Sequence, residues 1–287
     1  MRRRLVRHDG TAAGGWVMKV VLFCGGMGMR IREDASDFLP KPMTTIGGKP
    51  MLWHIMRYYA HFGHTEFVLA LGYGAQVIKD WFLEYRETTA NDFVLGADGV
   101  ALCSRDVSQW TITFCDTGVD TAIGERLRRV RPYLGDDPVF LANYGDGLSD
   151  VDVNDLVARL PEDHVGSLLA VRPQDSFHVV GIDEDGALTG LESVAEADMR
   201  VNGGFFVLRQ EIFDYLGPGD DLVLDACIRA AKDHRFSAHR HDGFWACMDT
   251  QKERRELEQL DRTGAAPWKV WEQKVTTQTT EREDTQQ

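Results

Sequence analysis

Cysteine is scarce in this chain and never paired in sequence. The five cysteines are scattered, and no two of them form a CxxC pair. An odd, dispersed set of thiols argues against a disulfide framework and against the common structural zinc patterns. We therefore expect a protein of the reducing cytoplasm. The cysteines are Cys24, Cys103, Cys115, Cys227 and Cys247.

Long hydrophobic runs and a surplus of basic residues are also absent. No apolar run approaches the roughly 20 residues that a membrane span needs. Lys plus Arg number 32 against 45 Asp plus Glu, which gives a net charge of −13. Because this charge repels polyanions at long range, we expect neither nucleic acid nor a membrane as partner. A small phosphorylated substrate is still compatible, since local arginines, lysines or a metal ion can hold it.

What the sequence does contain is an alternation of strand and helix patterns. Hydrophobic residues make up 43% of the 287 residues, which is enough for a sizeable core. Short apolar runs typical of strands alternate with segments whose apolar residues recur at helical spacing. This order predicts an α/β fold with a Rossmann-like, mostly parallel mixed sheet flanked by helices. The expected strands are 17–24, 67–71, 109–117 and 138–144, and the expected helices are 50–63, 75–86 and 124–134.

After about residue 165 the expected strands come close together. The DEDG sequence at 183–186 is a turn signal, so we expect a hairpin-rich region within a small β-rich and helical C-terminal part. One folded domain is expected from 17 to 272, between a disordered N-terminal extension at 1–16 and a disordered tail at 273–287. The further expected strands are 165–171, 179–183, 187–191 and 202–208, and the further expected helices are 221–233 and 252–262.

A glycine cluster, GGMGMR, follows the first expected strand. Glycines let a backbone approach phosphates closely, and successive N–H groups form a nest for anions. Arg30 follows Gly25, Gly26 and Gly28, and Lys41 lies eleven residues later between two prolines. A fixed pair of cations beside a glycine loop suits a triphosphate, because it stabilises the charge that develops at an attacked phosphorus. On its own the cluster is also compatible with an ordinary turn between a strand and a helix.

Two aspartates follow other apolar runs. Asp146 lies in YGDG at the end of the strand expected at 138–144, and Asp249 lies in FWACMDT. In open α/β sheets the ligand binds at the carboxyl ends of the strands. Mg²⁺ favours one or two carboxylates plus substrate oxygens, so this pair is a candidate magnesium site. The alternative is a pair of turn or capping aspartates.

Together these stretches resemble the sugar-1-phosphate nucleotidyltransferase family, and more closely its glucose-1-phosphate cytidylyltransferases. The similar stretches run in the family's order from Val20 to Glu272. They are VVLFCGGMGMR, LPKPMTTIGGKPMLWHIMRYY, LGYGAQVIKDWF, WTITFCDTG, IGERLRRV, LANYGDGLSDVD, NGGFFVL, GFWACMDT and GAAPWKVWE.

The resemblance implies a magnesium-dependent transfer of CMP from CTP, or of another nucleotide, to a sugar 1-phosphate. Glucose 1-phosphate would be the acceptor, CDP-glucose and pyrophosphate the products, and a homo-oligomer the assembly. Implied catalytic residues are Arg30 and Lys41, with Asp146 and Asp249 as metal ligands. Implied nucleotide contacts are Gly25, Gly26, Gly28, Gly124 and Arg126. Implied contacts to the sugar phosphate are Glu192, Asn202 and Gly203.

One departure from the family pattern affects the acceptor side. The family's Glu-Lys-Pro, whose lysine binds the sugar's phosphate, corresponds to Glu192, Ser193 and Val194 here. Loss of such a charged contact costs on the order of 1.5 to 3 kcal/mol unless another cation replaces it. Arg200 and Arg172 are the candidate replacements.

The sequence leaves several alternatives open. The departure at Ser193 is compatible with a different phosphorylated or phosphonate acceptor, or with a non-catalytic relative that binds nucleotide. A nucleotide-dependent oxidoreductase is disfavoured, because the dinucleotide fingerprint requires a glycine where Ile31 stands. Near the C-terminus, Trp268 and Trp271 are expected to pack on the body of the domain or on another subunit.

Overall fold

The computed structural model of this chain describes residues 17–26, 39–173, 178–194 and 197–272. Gly28 and Arg30 lie outside these ranges, as do the terminal segments 1–16 and 273–287. None of the helices in the described ranges has the length and apolar character that crossing a membrane requires.

The described strands are short, and eight of the fifteen lie at the expected positions. In chain order they are β1 (Lys19–Cys24), β2 (Thr45–Ile46), β3 (Lys49–Pro50), β4 (Glu66–Leu71), β5 (Phe93–Gly96), β6 (Gly99–Leu102), β7 (Thr111–Asp116), β8 (Val139–Asn143), β9 (Gly147–Ser149), β10 (Gly166–Val171), β11 (His178–Ile182), β12 (Leu188–Ser193), β13 (Val201–Arg209), β14 (Phe236–His241) and β15 (Trp245–Cys247).

The helices lie between these strands or after them. They are α1 (Met51–His61), α2 (Ala75–Leu83), α3 (Glu87–Ala90), α4 (Ile123–Val130), α5 (Val153–Ala158), α6 (Ile228–Lys232) and α7 (Gln251–Arg262). A π-helical stretch, Leu222–Cys227, leads into α6. Short 3₁₀ turns occur at Lys41–Met43, Val107–Gln109, Arg131–Tyr133, Gln210–Tyr215 and Val270–Glu272.

A seven-stranded sheet forms the centre of the molecule, in the order β14-β10-β13-β8-β1-β4-β7. Its pairings are parallel except those of β13, which runs antiparallel to both β8 and β10. The mostly parallel mixed sheet expected from the sequence is therefore confirmed. Because six strands point the same way, their carboxyl ends and the beginning of β13 meet at one edge, which we call the ligand edge.

The two faces of the sheet carry separate cores, and β1 contributes to both. Val20 and Leu22 face one core, which α1 covers, whereas Val21 and Phe23 face the other, to which α4 contributes Leu127. From β1 the chain continues to β4 and β7 on one side and then returns to β8 on the other side. Such a reversal opens a crevice outside the carboxyl ends of β1 and β8, where open α/β sheets bind their ligands.

The expected hairpin-rich region is smaller than the sequence predicts. Strands β11 and β12 do form an exposed antiparallel hairpin around the turn at 183–186. Strand β10, expected in the same region, instead pairs with β13 and β14 inside the central sheet. The reason is burial, since its residues are almost all buried against the apolar side chains of β13. Strand β14 was not expected, because FSAHRH is polar and lies at the edge of the sheet.

The tryptophans near the C-terminus pack on the body of the domain. Trp268 is fully buried between Phe244 and His54, and its Nε1 donates to His54 Nδ1 at 3.4 Å. Trp271 meets Trp53 edge to face. Nε2 of His54 donates to the carbonyl of Ile46 at 2.9 Å, so both ring nitrogens of a neutral imidazole are used. Burial lowers the pKa of His54 to about 4.

We expect His54 to make the fold sensitive to acid. Its pKa is about 4 in the folded chain against 6.5 as a model group, so the unfolded chain binds more protons between these values. Stability should therefore fall by about 2 kcal/mol from this group between pH 7 and pH 5. Urea unfolding at both pH values should show a smaller decline for His54→Gln than for wild type. The exposed His178→Gln is the control, and an equal decline in all three proteins would contradict the assignment.

Candidate active site

Most of the residues implicated by the sequence collect at the ligand edge. Gly25 and Gly26 follow β1, and Asp146 follows β8. Asn202 and Gly203 stand at the beginning of β13. The crevice outside the carboxyl ends of β1 and β8 is thus lined by residues that the sequence motifs had indicated.

Lys41 joins the two aspartates. Its Nζ lies 2.6 Å from Asp146 Oδ2 and also donates to Asp249 Oδ1. The lysine side chain is 12% exposed, against 29% and 31% for the two aspartates. Burial disfavours the charged ammonium, but the attraction of both carboxylates outweighs it and raises the pKa of Lys41. For Asp146 the balance is opposite, because burial raises its pKa more than Lys41 lowers it.

Local backbone structure fixes where these three side chains point. Lys41 begins a 3₁₀ turn between Pro40 and Pro42, closed by the Met43 N–H donating to the carbonyl of Pro40 at 2.8 Å. Asp146 follows Gly145, whose φ of +78° is strained for any residue with a side chain. The 3₁₀ turn and Gly145 therefore define the backbone that carries Lys41 and Asp146.

Asp249 is positioned from two sides. Strand β15 pairs with β9, and the N–H of Met248 donates to the carbonyl of Asp146 at 3.0 Å. Immediately afterwards α7 begins with a capping box between Thr250 and Glu253, and Glu253 also accepts the N–H of Asp249 at 2.6 Å. The backbone of Asp146 is therefore hydrogen-bonded to the residue that precedes Asp249 in the free protein.

The donor set fits a divalent cation of the magnesium type. Two carboxylates from separate segments converge on one point, and the ammonium of Lys41 stands there as a positive charge. Within the described ranges no group of three or more His, Cys, Asp or Glu side chains could hold a metal ion. A cation at this point would thus have two carboxylate ligands and would take the rest from phosphate and water, as Mg²⁺ commonly does.

Arg126 forms a floor beneath Gly25, the residue that follows β1. It is 4% exposed, and its Nη1 donates to the carbonyl of Leu71 at 3.1 Å and to Thr117 Oγ1 at 2.7 Å. Its Nη2 donates to the carbonyl of Val119 at 2.8 Å. Arg126 therefore ties the ends of β4 and β7 together, and its guanidinium occupies the space that a Cβ on Gly25 would need.

The beginning of β13 contacts the loop that carries Asp146. Asn202 Nδ2 donates to Tyr144 Oη at 3.1 Å, and its Oδ1 accepts the N–H of Gly204 at 2.9 Å. The carbonyl of Gly203 accepts from Trp245 Nε1 at 2.8 Å. Sequence reasoning did not select Tyr144 or Trp245, although both lie inside stretches that resemble the family.

Comparison with known proteins identifies the chain's relatives. A glucose-1-phosphate cytidylyltransferase from Salmonella typhi is 34% identical over 259 residues, which cover 89% of this chain and all of that enzyme. A Bacillus subtilis protein named "Probable glucose-1-phosphate cytidylyltransferase" is 37% identical over 258 residues, which cover 88% of this chain and all of that protein. The chain belongs to the sugar-1-phosphate nucleotidyltransferase family. It is therefore a nucleotidyltransferase. No protein-family model matches the chain.

A solved structure supports the fold of this transferase. A UTP-bound UGPase from Acinetobacter baumannii superposes with a TM-score of 0.62 at 17% identity, covering 87% of the transferase and 96% of that chain. At this identity the likeness concerns the fold alone. It agrees with the Rossmann-like sheet described above.

For two of the implicated residues, Gly124 and Glu192, the described contacts are with other parts of the protein. A Cβ on Gly124 would lie 2.5 Å from the carbonyl of Asp220, so this glycine allows α4 to pack against the segment after Leu216. Glu192 is exposed on the β11–β12 hairpin, opposite Val179. Their contacts with nucleotide and sugar stay predictions. Arg200 does lie at the ligand edge, where its Nη1 donates to the carbonyl of His241 at 3.0 Å.

We expect Gly25 and Gly26 to differ in their tolerance of alanine. Gly25→Ala would overlap the buried guanidinium of Arg126, whereas no atom of the described residues lies within 4 Å of a Cβ on Gly26. Gly25→Ala should therefore lower the free energy of unfolding by about 1 to 3 kcal/mol, and Gly26→Ala should stay within about 0.5 kcal/mol of wild type. Urea unfolding without nucleotide measures both. Equal stability of the two variants would contradict the role given to Arg126.

Proposed function

We propose that this transferase moves CMP from CTP to glucose 1-phosphate, giving CDP-glucose and pyrophosphate, with Mg²⁺ as cofactor. The observation that carries the proposal is the convergence of Asp146 and Asp249 on Lys41 in the crevice between β1 and β8. The named activities of the relatives from Salmonella typhi and Bacillus subtilis support the choice of CTP and glucose 1-phosphate.

Asp146 and Asp249 would hold the magnesium ion. When bound, the ion would neutralise negative charge on the phosphates of the nucleotide. The ammonium of Lys41 lies at the same point, so it would stabilise the charge that develops on the α-phosphate. The glycine backbone after β1, supported by Arg126, would let the triphosphate lie close to the sheet edge.

The chemistry requires no covalent enzyme intermediate. An oxygen of the sugar's phosphate forms a new bond to the α-phosphorus, and the bond between the α-phosphorus and the bridging oxygen breaks. Pyrophosphate leaves with that electron pair. Because a phosphate monoester is already largely ionised at neutral pH, with a second pKa of roughly 6, the attacking oxygen needs no general base. The task of the protein is positioning and charge stabilisation.

Two matched aspartates provide a test of this function. Asp146→Asn removes a proposed metal ligand at the ligand edge. Asp137→Asn removes the partner of Lys19, 2.7 Å away, at the opposite end of β1. Pyrophosphate release from CTP with glucose 1-phosphate and Mg²⁺ should fall at least about 100-fold in the first variant, as for loss of a central electrostatic contact. It should change less than about twofold in the second.

The same assay tests substrate choice. Four nucleoside triphosphates are paired with a panel of sugar 1-phosphates and phosphonate analogues. We expect CTP with glucose 1-phosphate to give the highest kcat/KM. If wild type releases no pyrophosphate from CTP with any acceptor, or if Asp146→Asn keeps wild-type activity, the proposed function is wrong.

A further inference from the structure

Two arginines at the ligand edge, near the ends of β10 and β14, contact one carboxylate oxygen. Arg172 follows the end of β10, Arg200 precedes the beginning of β13, and Asp242 follows the end of β14. Arg172 Nε lies 3.1 Å and Arg200 Nη2 lies 2.8 Å from the same Oδ1 of Asp242. The arginine pair, Arg172 and Arg200, therefore forms a small site for an anion, and a side chain of the protein fills it.

Arg200 is the most buried side chain of the three, and the side chain of Arg172 is 45% exposed. The side chain of Asp242 is 65% exposed, whereas that of Arg200 is only 15% exposed. Arg200 is also held by the carbonyl of His241, whose ring Nε2 lies 2.8 Å from Asp150 Oδ1. Asp242 is therefore open to solvent, while the guanidinium of Arg200 is held at the edge by the backbone of His241.

Arg200 also keeps a donor that Asp242 does not satisfy. Its Nε is buried and has no hydrogen-bond partner among the residues that the structure describes. A buried donor without a partner is costly, and a guanidinium binds best through two parallel N–H donors. A phosphoryl group has three terminal oxygens, so it could accept from Nε and Nη2 of Arg200 and from Arg172 at the same time.

We propose that the arginine pair binds the phosphoryl group of the acceptor, and that Asp242 is an internal anion which this group must displace. The proposal rests on the proposed function and names residues that would select a phosphorylated acceptor. Asn202, two residues after Arg200, donates to Tyr144 Oη at 3.1 Å, so the beginning of β13 connects this site to the loop that carries Asp146. Asp242 lowers the apparent affinity for the acceptor, because the site binds only when the aspartate has left.

Calorimetry with inorganic phosphate tests the site without turnover. Phosphate is titrated into wild type, Asp242→Asn, Arg200→Met and Arg200→Lys. Asp155→Asn is the matched control, since Asp155 in α5 pairs at 2.7 Å with Arg159, which follows the helix, and its loss changes the net charge equally. Asp242→Asn should bind phosphate about fivefold more tightly than wild type. Arg200→Met should bind at least about tenfold more weakly, and Arg200→Lys, which keeps the charge without the paired donors, should be intermediate.

Kinetics provide the second readout. Asp242→Asn should lower KM for glucose 1-phosphate by a similar factor and leave KM for CTP unchanged, while Arg200→Met should raise only KM for the sugar phosphate. Thermal unfolding checks that each variant is folded.

Several outcomes would overturn the proposal. They are equal phosphate affinity in wild type and Asp242→Asn, an equal gain in Asp155→Asn, and wild-type affinity in Arg200→Met. Failure of the proposed function is distinguishable from these results. A protein without turnover that still shows the Asp242→Asn gain retains the anion site, whereas turnover with unchanged phosphate affinity retains the function and removes the site.

Discussion

The contact of Lys41 with Asp146 and Asp249 is the interaction on which the rest of the site depends. Two carboxylates this close repel each other, and burial raises the pKa of Asp146. The ammonium of Lys41 compensates that repulsion in the free protein. The pairing of β15 with β9 and the capping box of α7 hold the backbones in place. Lys41 therefore supplies positive charge at this point in the free protein, at the same sheet edge as Gly25 and Gly26.

In the free protein, described charged side chains at the ligand edge form ion pairs with one another. Lys41 lies where a metal ion would bind between carboxylates, and Asp242 lies where a phosphate would bind between arginines. If the two proposals hold, both internal contacts would rearrange when substrates enter, and each would lower affinity. Local cations such as Lys41 and Arg200 would then bind the phosphates against the repulsion of a chain whose net charge is −13.

The sequence predicted the strands and helices that have strong apolar patterns, such as β1, β8 and α1, and through them the α/β fold. It also predicted that Asp146 would follow a strand at the ligand edge. It did not predict β14, because this polar strand pairs at the sheet edge through backbone hydrogen bonds and has no apolar pattern. It misplaced β10, which is buried beside β13 inside the central sheet. The floor formed by Arg126 and the arginine pair with Asp242 join segments far apart in sequence, and no local pattern records such contacts.

The central claim is that Asp146 and Asp249 together form one cation site. Manganese, used as a paramagnetic substitute for magnesium, can be titrated in the presence of CTP and followed by electron paramagnetic resonance. The account predicts one tight manganese site in wild type and in Asp137→Asn, and its loss in Asp249→Asn. Retention of that site with wild-type affinity in Asp249→Asn would contradict it.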